Sequence, residues 1–318
     1  MKIYSGSEEL GGALRGCILT VGNFDGLHLG HQALLRAVLE RGRALAAPMA
    51  VYTFDPHPRR LLQPERAQPR LMTSEQLTLG LEEAGIDALI RETFTHEFAS
   101  LSAETFLREI LGARIGPREV HVGRGFHFGK GRQGSGRTLQ LRGPEIGIDV
   151  RIIPQVRAGG KDVSSSRIRA ALARGDVAEA ELCLARPYSV WGRVVPGARR
   201  GRTLGFPTAN LDVENELLPA SGVYATRVRI FAGKRPSGQA WPAVTNIGSR
   251  PTFASDGVIA EAHLLDFEGD LYGQRIAVAF HARLREERRF PDSEALAEQI
   301  ANDVQTTRSL LASTPAQT

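Results

Sequence analysis

Apolar and polar residues follow two different patterns along the chain, one in each half. In the first half, short apolar runs at residues 17–21 and 49–54 have the length of buried strands. From residue 29, apolar residues recur at the three- and four-residue spacing of an amphipathic helix. Strands that alternate with helices predict a parallel sheet with helices on both faces.

The pattern changes near residue 185. Two short helical segments, 166–173 and 177–184, end just before Pro187. Because proline interrupts helices, Pro187 is a good candidate for a domain boundary. Short strand candidates separated by turn residues follow, and they predict an antiparallel barrel or sandwich. An amphipathic helix is predicted at 293–311. The predicted strands are 190–195, 223–230, 243–247, 259–267 and 275–284.

Length and composition agree with two domains, 1–185 and 186–318. The chain has 318 residues, 24% of them charged and 42% hydrophobic, which is enough for two sizeable cores. Its two cysteines, Cys17 and Cys183, lack the spacing of a zinc site or a disulfide framework. The first residues are too polar for a signal peptide, and no apolar run of about 18 residues is present. We expect a cytoplasmic protein that does not span a membrane.

The formal net charge of +5 raises nucleic-acid binding as a hypothesis. However, lysines and arginines are scattered among acidic residues, and aromatic residues make up only 6% of the chain. Clefts that hold nucleotide phosphates explain the basic excess, so no nucleic-acid partner is expected.

The segment Gly22-Asn23-Phe24-Asp25-Gly26-Leu27-His28-Leu29-Gly30-His31 follows the first predicted strand. His28 and His31 are three residues apart, so they lie on one face of the first helical turn. Free backbone N–H groups and the macrodipole favour an anion at a helix N-terminus. Two imidazoles add donors for the charge that builds up in nucleotidyl transfer. The alternative is a pair of ordinary helix-start residues, and Asp25 could cap the helix or bind flavin or a metal.

Three further segments of the first half are open to two interpretations each. Residues 55–58, Asp-Pro-His-Pro, could wall a substrate pocket or form a connecting turn. Serines 164–166 before Arg167 could hold a phosphate or cap a basic surface helix. The glycine-rich, basic residues 130–137 could be a mobile loop over a polyanionic substrate or a plain surface loop.

Residues 197–210 contain the candidate nucleotide chemistry of the second half. This stretch is not a Walker loop, but its glycines allow close backbone approach and its arginines suit a nucleotide. Thr208 and Asn210 project from the same face of an extended segment, and both have oxygens suited to Mg²⁺. A proline-kinked turn is the alternative. The candidate nucleotide-binding residues are Gly197, Gly201, Arg202, Gly205, Thr208 and Asn210.

A kinase site also needs a base for the attacking hydroxyl. Glu261 and His263 alternate on one face of a predicted strand, and Glu261 is the preferred base. On the interior face of a small barrel a carboxylate must be hydrogen-bonded or functional, whereas on the outer face it is solvated. Periodicity does not decide between the two faces.

The decapeptide at 22–31 resembles the GxFDxxHxGH signature of the HIGH-type nucleotidyltransferases, in particular the adenylyltransferase half of bacterial bifunctional riboflavin kinase/FAD synthetases. The segments at 53–58, 122–129 and 163–169 also match, so the resemblance spans nearly all of 1–185. It implies a Rossmann-like domain that binds ATP. The ATP residues implied are Gly22, Asn23, Phe24, Asp25, His28, His31, Ser164, Ser165 and Arg167, and the flavin residues are Phe54, Pro56, Phe126 and Phe128.

The chain departs from this family at two positions. The family commonly has Asp or Asn followed by Phe-Arg-Phe-Gly, whereas this chain has Gly125 and then Phe-His-Phe-Gly, with His127 in place of the arginine. Glycine lacks a side chain that could hydrogen-bond a flavin. This departure motivates an alternative in which the adenylyltransferase half is weak or inactive.

Five ordered segments of the second half look like the riboflavin kinase domain: 187–192, 205–210, 222–224, 246–253 and 263–267. The resemblance implies a six-stranded antiparallel Greek-key β-barrel with a C-terminal helix. It also implies that Thr208 and Asn210 bind Mg²⁺ with ATP and that Glu261 is the general base toward the ribityl 5′-hydroxyl. Arg285 is a further candidate for flavin contact, with a mixed-charge strand end as the alternative.

The fold expected is therefore α/β plus β, with an adenylyltransferase domain before a kinase domain. The expected function is phosphorylation of riboflavin to FMN and adenylylation of FMN to FAD, with ATP as co-substrate and Mg²⁺ as cofactor. Two alternatives stay open, a kinase with a weak first half and a flavin- or nucleic-acid-binding regulator without turnover. A weak homo-oligomer is also left open.

Overall fold

The computed structural model describes residues 1–197, 205–249 and 258–312. The chain forms two compact units. One consists of Met1–Pro69 and Ser74–Ser164, and the other of Arg70–Thr73 and Ser165–Thr318. Each is described separately below as the first and the second unit.

The first unit is built on a six-stranded parallel sheet, as the alternation of strands and helices predicts. Two short antiparallel pairs lie outside it. The strands are β1 (Lys2–Tyr4), β2 (Ile18–Val21), β3 (Met49–Asp55), β4 (Ala88–Thr93), β5 (Glu119–Gly123), β6 (His127–Phe128), β7 (Gly134–Ser135), β8 (Asp149–Ile153), β9 (Arg157–Ala158) and β10 (Lys161–Asp162). The sheet order is β1-β4-β3-β2-β5-β8.

Helices connect these strands. The α-helices of the first unit are α1 (Leu29–Leu45), α2 (Pro58–Leu62), α3 (Ser74–Glu83), α4 (His96–Ser100), α5 (Ala103–Thr105) and α6 (Gly136–Arg142). A π-helix at Phe106–Ile115 continues from α5, and short 3₁₀ turns lie at Ser7–Leu10, Pro64–Arg66, Lys130–Arg132 and Gly143–Ile146. The helix predicted from residue 29 is confirmed as α1.

Both faces of the sheet are covered, so its central strands are buried. All four residues of β2 are inaccessible to water. On one face Val21 and Tyr52 pack with Phe106 and Leu111 of the π-helix. On the other face α1 contacts β2, β3 and β5. Each large apolar side chain buried this way contributes roughly 1.5–3 kcal/mol.

The order of the sheet reverses between β2 and β5. From β2 the chain adds β3 and β4 on one side, and it later adds β5 and β8 on the other. In open parallel sheets this reversal creates a crevice beyond the carboxyl ends of the two strands, where ligands bind. The turn after β2 therefore begins at the place where this architecture holds its ligands.

The second unit is a closed antiparallel barrel with helices at both ends of its sequence. Its elements are α7 (Ser165–Ala173), α8 (Val177–Leu184), β11 (Tyr188–Val195), β12 (Ala209–Val213), β13 (Gly222–Ala232), β14 (Arg235–Pro236), β15 (Trp241–Ser249), β16 (Val258–Leu264), β17 (Arg275–Arg285) and α9 (Ser293–Ala312). Six strands pair in the order β13-β15-β16-β12-β11-β17, and β17 pairs with β13 to close the barrel. Helix α9 packs on β13 and β15.

Small and β-branched side chains of β15 and β16 line part of the barrel interior. Thr245, Ala260 and Ala262 are at most 1% exposed. The Thr226 hydroxyl donates to the Ala243 carbonyl and lies 2.7 Å from the Thr245 hydroxyl, which satisfies the buried polar groups. Residues that alternate with these along β15 and β16 therefore face outward.

The five predicted strands of this unit are confirmed as β11, β13, β15, β16 and β17. The strand predicted at 259–267 ends earlier, at Leu264, because Asp266 has a left-handed backbone with φ 56°. Helices α7 and α8 precede residue 185 but belong to the second compact unit, where α8 contacts β11 and β17. The domain boundary at 185 stays a prediction.

Candidate functional site

The turn between β2 and α1 has an unusual backbone. Phe24 and Leu27 adopt left-handed conformations with φ of 49° and 44°, which non-glycine residues rarely do. Phe24 is fully buried, and a Cβ at Gly22 would lie 3.3 Å from its ring. The exposed Asn23 accepts a hydrogen bond at its carbonyl from Thr53 of β3, and Asp25 is buried. Backbone strain of this kind is concentrated at functional sites.

His28 and His31 converge at the start of α1, as predicted. Their rings stack with centroids 3.7 Å apart and an interplanar angle of 14°. His28 Nδ1 accepts a hydrogen bond from the His31 backbone N–H at 3.4 Å, so His28 caps the helix. A neutral His28 ring that accepts at Nδ1 has its proton on Nε2. Gly30 packs closely against this pair, because a Cβ there would lie 3.1 Å from the His28 ring.

A cavity of about 640 Å³ opens beyond the carboxyl ends of β5 and β8. Its lining combines basic, acidic and apolar groups: Arg124, Ile152, Pro154, Gln155, Arg157 and Asp162. β5 is the strand next to β2, so the cavity is on the ligand-binding edge of the sheet.

The three phenylalanines predicted to contact flavin, Phe54, Phe126 and Phe128, belong to one aromatic cluster near this edge. The ring centroid of Phe54 lies 5.9 Å from that of Phe98, which lies 6.3 Å from that of Phe106. The Phe106 and Phe128 ring centroids are 5.3 Å apart, and Phe128 stacks on Phe126 with centroids 5.7 Å apart. Phe54 and Phe126 are half-buried and Phe128 is buried. Pro56 follows Phe54 by two residues through a cis peptide bond.

Sequence patterns did not single out Phe98 and Phe106, which connect this cluster. Phe98 is on α4 and Phe106 begins the π-helix, so neither is near Phe54 or Phe128 in the sequence. Their aromatic character is visible in the sequence, but only the packing of these helices on the sheet brings them together.

The basic, glycine-rich stretch at 130–137 is structured. It contains a 3₁₀ turn, then β7, which pairs with β6, and then the start of α6 with a capping box at Ser135 and Thr138. Gly134 is required because a Cβ there would overlap the Phe128 ring. The loop interpretation misses this hairpin, since two-residue strands have no periodicity to detect.

Of the two departures from the family pattern, His127 is on β6 of this hairpin and Gly125 is in the turn that precedes β6. A Cβ at Gly125 would meet nothing within 4 Å, so a side chain fits there. His127 is exposed, and its Nδ1 lies 2.9 Å from the Arg132 guanidinium and 2.9 Å from the Gly125 carbonyl.

Ser164, Ser165 and Arg167 lie at the beginning of α7. Helix α7 starts at Ser165, and both serines are half-buried. The Arg167 Nε donates to Glu179 of α8 at 2.7 Å, and its side chain is 13% exposed. Contacts of these residues with ATP stay a prediction.

The second site lies on three adjacent strands of the barrel. Asn210 on β12 is directly opposite Glu261 on β16, and Glu261 is directly opposite Asn246 on β15. These three residues alternate with the interior residues Ala260 and Ala262, so they form a row on the outer face of the barrel. Glu261 is nevertheless half-buried rather than fully solvated, and Asn210 is only 9% exposed.

The residues just before β12 contact His263 of β16, the strand that also carries Glu261. His263 Nδ1 lies 2.8 Å from the Pro207 carbonyl, and its ring is 5.5 Å from Phe206 in an edge arrangement. Thr208 follows as a half-buried residue, and Gly205 is exposed with φ 83°. Gly201 and Arg202 lie outside the described residues.

The donors near Asn210 suit a magnesium ion that is shared with a nucleotide. Thr208 and Asn210 offer a hydroxyl and an amide oxygen, and Mg²⁺ prefers oxygen ligands. The backbone of Gly197 approaches the Asn210 amide so closely that a Cβ would overlap it. Among the described residues, no group of three or more His, Cys, Asp or Glu side chains could hold a metal alone.

Arg285 is bound to α9. Its Nε and Nη2 donate to Asp303 at 2.8–3.2 Å, and Gln299 also donates to Asp303. The guanidinium thus connects the end of β17 to the helix. Its predicted contact with flavin is not tested by these bonds and stays a prediction.

Two family models match successive parts of the chain. The FAD synthetase model covers residues 12–167, and the riboflavin kinase model covers residues 184–311. No helix in the described part of the chain combines the length and the apolar character needed to cross a membrane.

Similar proteins match over nearly the whole length. A bifunctional riboflavin kinase/FMN adenylyltransferase from Pseudomonas fluorescens is 42% identical over 98% of both chains. One from Escherichia coli strain K12 is 40% identical over 97% of both. The crystal structure of a protein described as a macrolide-efflux protein from Streptococcus pneumoniae superposes with a TM-score of 0.86 at 29% identity, over 96% of this chain and 98% of that one.

Proposed function

The chain belongs to the bifunctional riboflavin kinase/FMN adenylyltransferase family, and we propose how its residues divide the two reactions. In one, the γ-phosphoryl group of ATP is transferred to riboflavin, which gives FMN and ADP. In the other, the AMP part of ATP is transferred to FMN, which gives FAD and pyrophosphate. The observation that best supports the division is that His28 lies in the first compact unit and Glu261 in the second.

In the adenylyltransferase site, an FMN phosphate oxygen attacks the α-phosphorus of ATP, and the bond between the α-phosphorus and the bridging oxygen to the β-phosphate breaks. Charge moves onto the departing pyrophosphate. His28 and His31 donate to these phosphate oxygens from the N-terminus of α1, where the helix dipole adds positive potential. Gly22, Asn23, Phe24 and Asp25 shape the turn that receives ATP, and Ser164, Ser165 and Arg167 bind its phosphates.

The aromatic cluster around Phe54, Phe126 and Phe128 binds the isoalloxazine ring of FMN. Half-buried phenyl rings offer apolar faces on which a flat ring system can stack. Pro56 stiffens the adjoining loop. The FMN phosphate is itself the nucleophile, so the protein need not supply one, which agrees with a cluster composed of apolar rings.

In the kinase site, Glu261 takes the proton of the ribityl 5′-hydroxyl, whose oxygen attacks the γ-phosphorus while the bond to the ADP oxygen breaks. Thr208 and Asn210 would hold Mg²⁺, which would supply positive charge to neutralise the phosphates when bound. Gly197, Gly201, Arg202 and Gly205 line the nucleotide. The support for this assignment is the direct cross-strand pairing of Glu261 with the buried Asn210.

A second candidate is an active kinase with a weak adenylyltransferase half. It is favoured by Gly125, which leaves space where a side chain could contact flavin. A flavin- or nucleic-acid-binding regulator has less support, because it does not need two phosphate-binding sites. We further propose a cytoplasmic location, where Cys17 and Cys183 stay reduced. The partners proposed are riboflavin, FMN and ATP.

Two substitutions test the division of labour. His28→Ala should reduce FAD formation from FMN by at least about 100-fold and leave FMN formation unchanged, because only adenylylation loses a hydrogen-bond donor to the ATP phosphates. Glu261→Ala should have the opposite effect. Chromatography of flavin products measures both rates in each variant. Equal loss of the two activities from either substitution would contradict the proposal.

A further inference from the structure

The third member of the row on the barrel's outer face, Asn246, has an unsatisfied side chain. Its Oδ1 is shielded from water and has no hydrogen-bond partner among the described residues. An acceptor left in this state costs folding free energy, because the desolvation is not repaid by a bond. Such groups call for an explanation, and a bound ligand is one.

The register of the strands places this oxygen beside the proposed base. Asn246 is directly opposite Glu261, and Glu261 separates it from Asn210. Neighbouring strands are about 4.8 Å apart, so Asn210 and Asn246 are about 10 Å apart on either side of Glu261. The Asn210 end of the row is assigned to the nucleotide and Mg²⁺, which leaves the Asn246 end for the alcohol that is phosphorylated.

The hydrogen-bonding chemistry of Asn246 Oδ1 agrees with an alcohol, and not a nucleotide phosphate, at this end of the row. An amide oxygen only accepts, and the phosphate oxygens of a nucleotide also only accept, so Asn246 Oδ1 does not bind them. The hydroxyls of a polyol chain donate. The Asn246 amide nitrogen is directed toward Gly248, since a Cβ on Gly248 would lie 3.3 Å from Nδ2 and 2.6 Å from the Glu287 carboxylate. The oxygen, which has no partner among the described residues, remains for a donor.

We propose that Asn246 is a further substrate-binding residue of the kinase site, whose Oδ1 accepts a hydrogen bond from a secondary hydroxyl of the ribityl chain while Glu261 takes the proton of the 5′-hydroxyl. This inference rests on the proposed kinase function. Asn246 then fixes the ribityl chain so that its terminal hydroxyl faces the γ-phosphate. It also selects riboflavin over a flavin that lacks the secondary hydroxyl.

Steady-state kinetics of FMN formation by the full chain test the proposal. Asn246→Leu keeps the approximate volume and removes the acceptor. We expect kcat/KM for riboflavin to fall about 5- to 100-fold, the range for one lost hydrogen bond in a desolvated site, with the KM for ATP changed less than twofold. Asn302→Leu, at an exposed position of α9, is the matched control and should behave as the unmodified protein.

Riboflavin analogues that each lack one secondary ribityl hydroxyl identify the contact. With one of them, the unmodified protein should already have the reduced kcat/KM, and Asn246→Leu should cause no further loss. FAD formation from FMN by the same variant should be unchanged, which shows that the first unit is folded, and the nearly unchanged KM for ATP in FMN formation shows the same of the barrel. An unchanged kcat/KM for riboflavin, or a raised KM for ATP or Mg²⁺ instead, would overturn the inference. Failure of the unmodified protein to phosphorylate riboflavin would instead refute the proposed kinase function.

Discussion

Gly30 shows how much of the first site depends on one small residue. It is the second residue of α1, between the two stacked histidines, and its missing side chain leaves room for the His28 ring. Alanine at this position would bring a Cβ within 3.1–3.2 Å of that ring. The ring is stacked on His31 and is 7% exposed, so it has little space to withdraw.

Gly30→Ala should therefore lower the rate of FAD formation without lowering the free energy of unfolding. Alanine favours a helix over glycine by up to about 1 kcal/mol, so the free energy of unfolding should stay equal or rise. FAD formation should fall about tenfold, because displaced histidines no longer match the charge of the transition state. Urea unfolding and FMN adenylylation rates measure the two effects.

The matched control is Gly238→Ala, because a Cβ there meets nothing within 4 Å. It should change neither the rate of FAD formation nor the urea midpoint by much. If Gly30→Ala retained full adenylylation activity, the close packing of the histidine pair would not be needed for the reaction.

At the scale of elements, a buried carboxylate connects α1, β5 and β8. Glu119 is 1% exposed, and Arg41 of α1 donates to both of its oxygens at 3.0 Å. His121 and Arg151 lie 3.2 and 3.3 Å from it. Hydrogen bonding to Arg41 is the main cause that lowers the pKa of Glu119 from 4.5 to about 2, against the opposing effect of burial. Burial in turn lowers the pKa of His121.

This pKa determines how Glu119 contributes to stability at different pH. Folding favours the ionised carboxylate, so the contribution is complete above pH 4.5 and is lost as the pH falls toward about 2. Glu119→Gln should lower the free energy of unfolding by about 2 kcal/mol at pH 7, with the difference from the unmodified protein shrinking below pH 4.5.

Urea titrations at a series of pH values measure this difference. Glu97→Gln, on the exposed face of α4, should show no such pH-dependent gap. A gap between Glu119→Gln and the unmodified protein that stayed constant from pH 7 to pH 3 would contradict the account.

The bond between Arg285 and Asp303 fastens α9 to the barrel. Asp303 is 4% exposed and the Arg285 side chain 18%, so removing the carboxylate leaves a largely desolvated guanidinium. Asp303→Ala should lower the free energy of unfolding by about 3 kcal/mol, as measured by urea denaturation. Glu298→Ala, at an exposed position of the same helix, should have almost no effect. Equal effects would mean that this ion pair does not hold the helix.

Most elements could be predicted because their residues interact locally or alternate regularly. The apolar spacing after residue 29 and the alternation along β13 and β17 are visible without a structure. The π-helix at Phe106–Ile115 has the apolar composition of an ordinary helix, and its hydrogen-bond pattern follows from packing. Strand β12 follows a turn rich in Gly and Pro and has only five residues, so its periodicity is weak.

The convergence of candidate residues could be predicted where they are close in the sequence. His28 and His31 are three apart, so their convergence follows from helical geometry. The face occupied by Glu261 and its neighbour Asn246 depend on how β12, β15 and β16 pair, and these strands are far apart in the chain. Glu261 on the outer face is half-buried instead of solvated, so the expectation that an outward carboxylate is merely solvated was wrong.

For the whole molecule, the central claim is that one chain performs two consecutive reactions in two units. The FAD synthetase model covers most of the first unit and the riboflavin kinase model most of the second, and the proposed key residues His28 and Glu261 lie in different units. Such a chain should use two ATP molecules for every riboflavin converted to FAD, one giving ADP and the other pyrophosphate.

The most direct test follows the flavins and nucleotides over time after purified protein is mixed with riboflavin, ATP and Mg²⁺. The account predicts that FMN appears first and is converted to FAD, with ADP and pyrophosphate released in equal amounts once conversion is complete. FMN that accumulates without FAD would contradict the adenylyltransferase half and favour the alternative suggested by Gly125. Riboflavin left unchanged would contradict the kinase half.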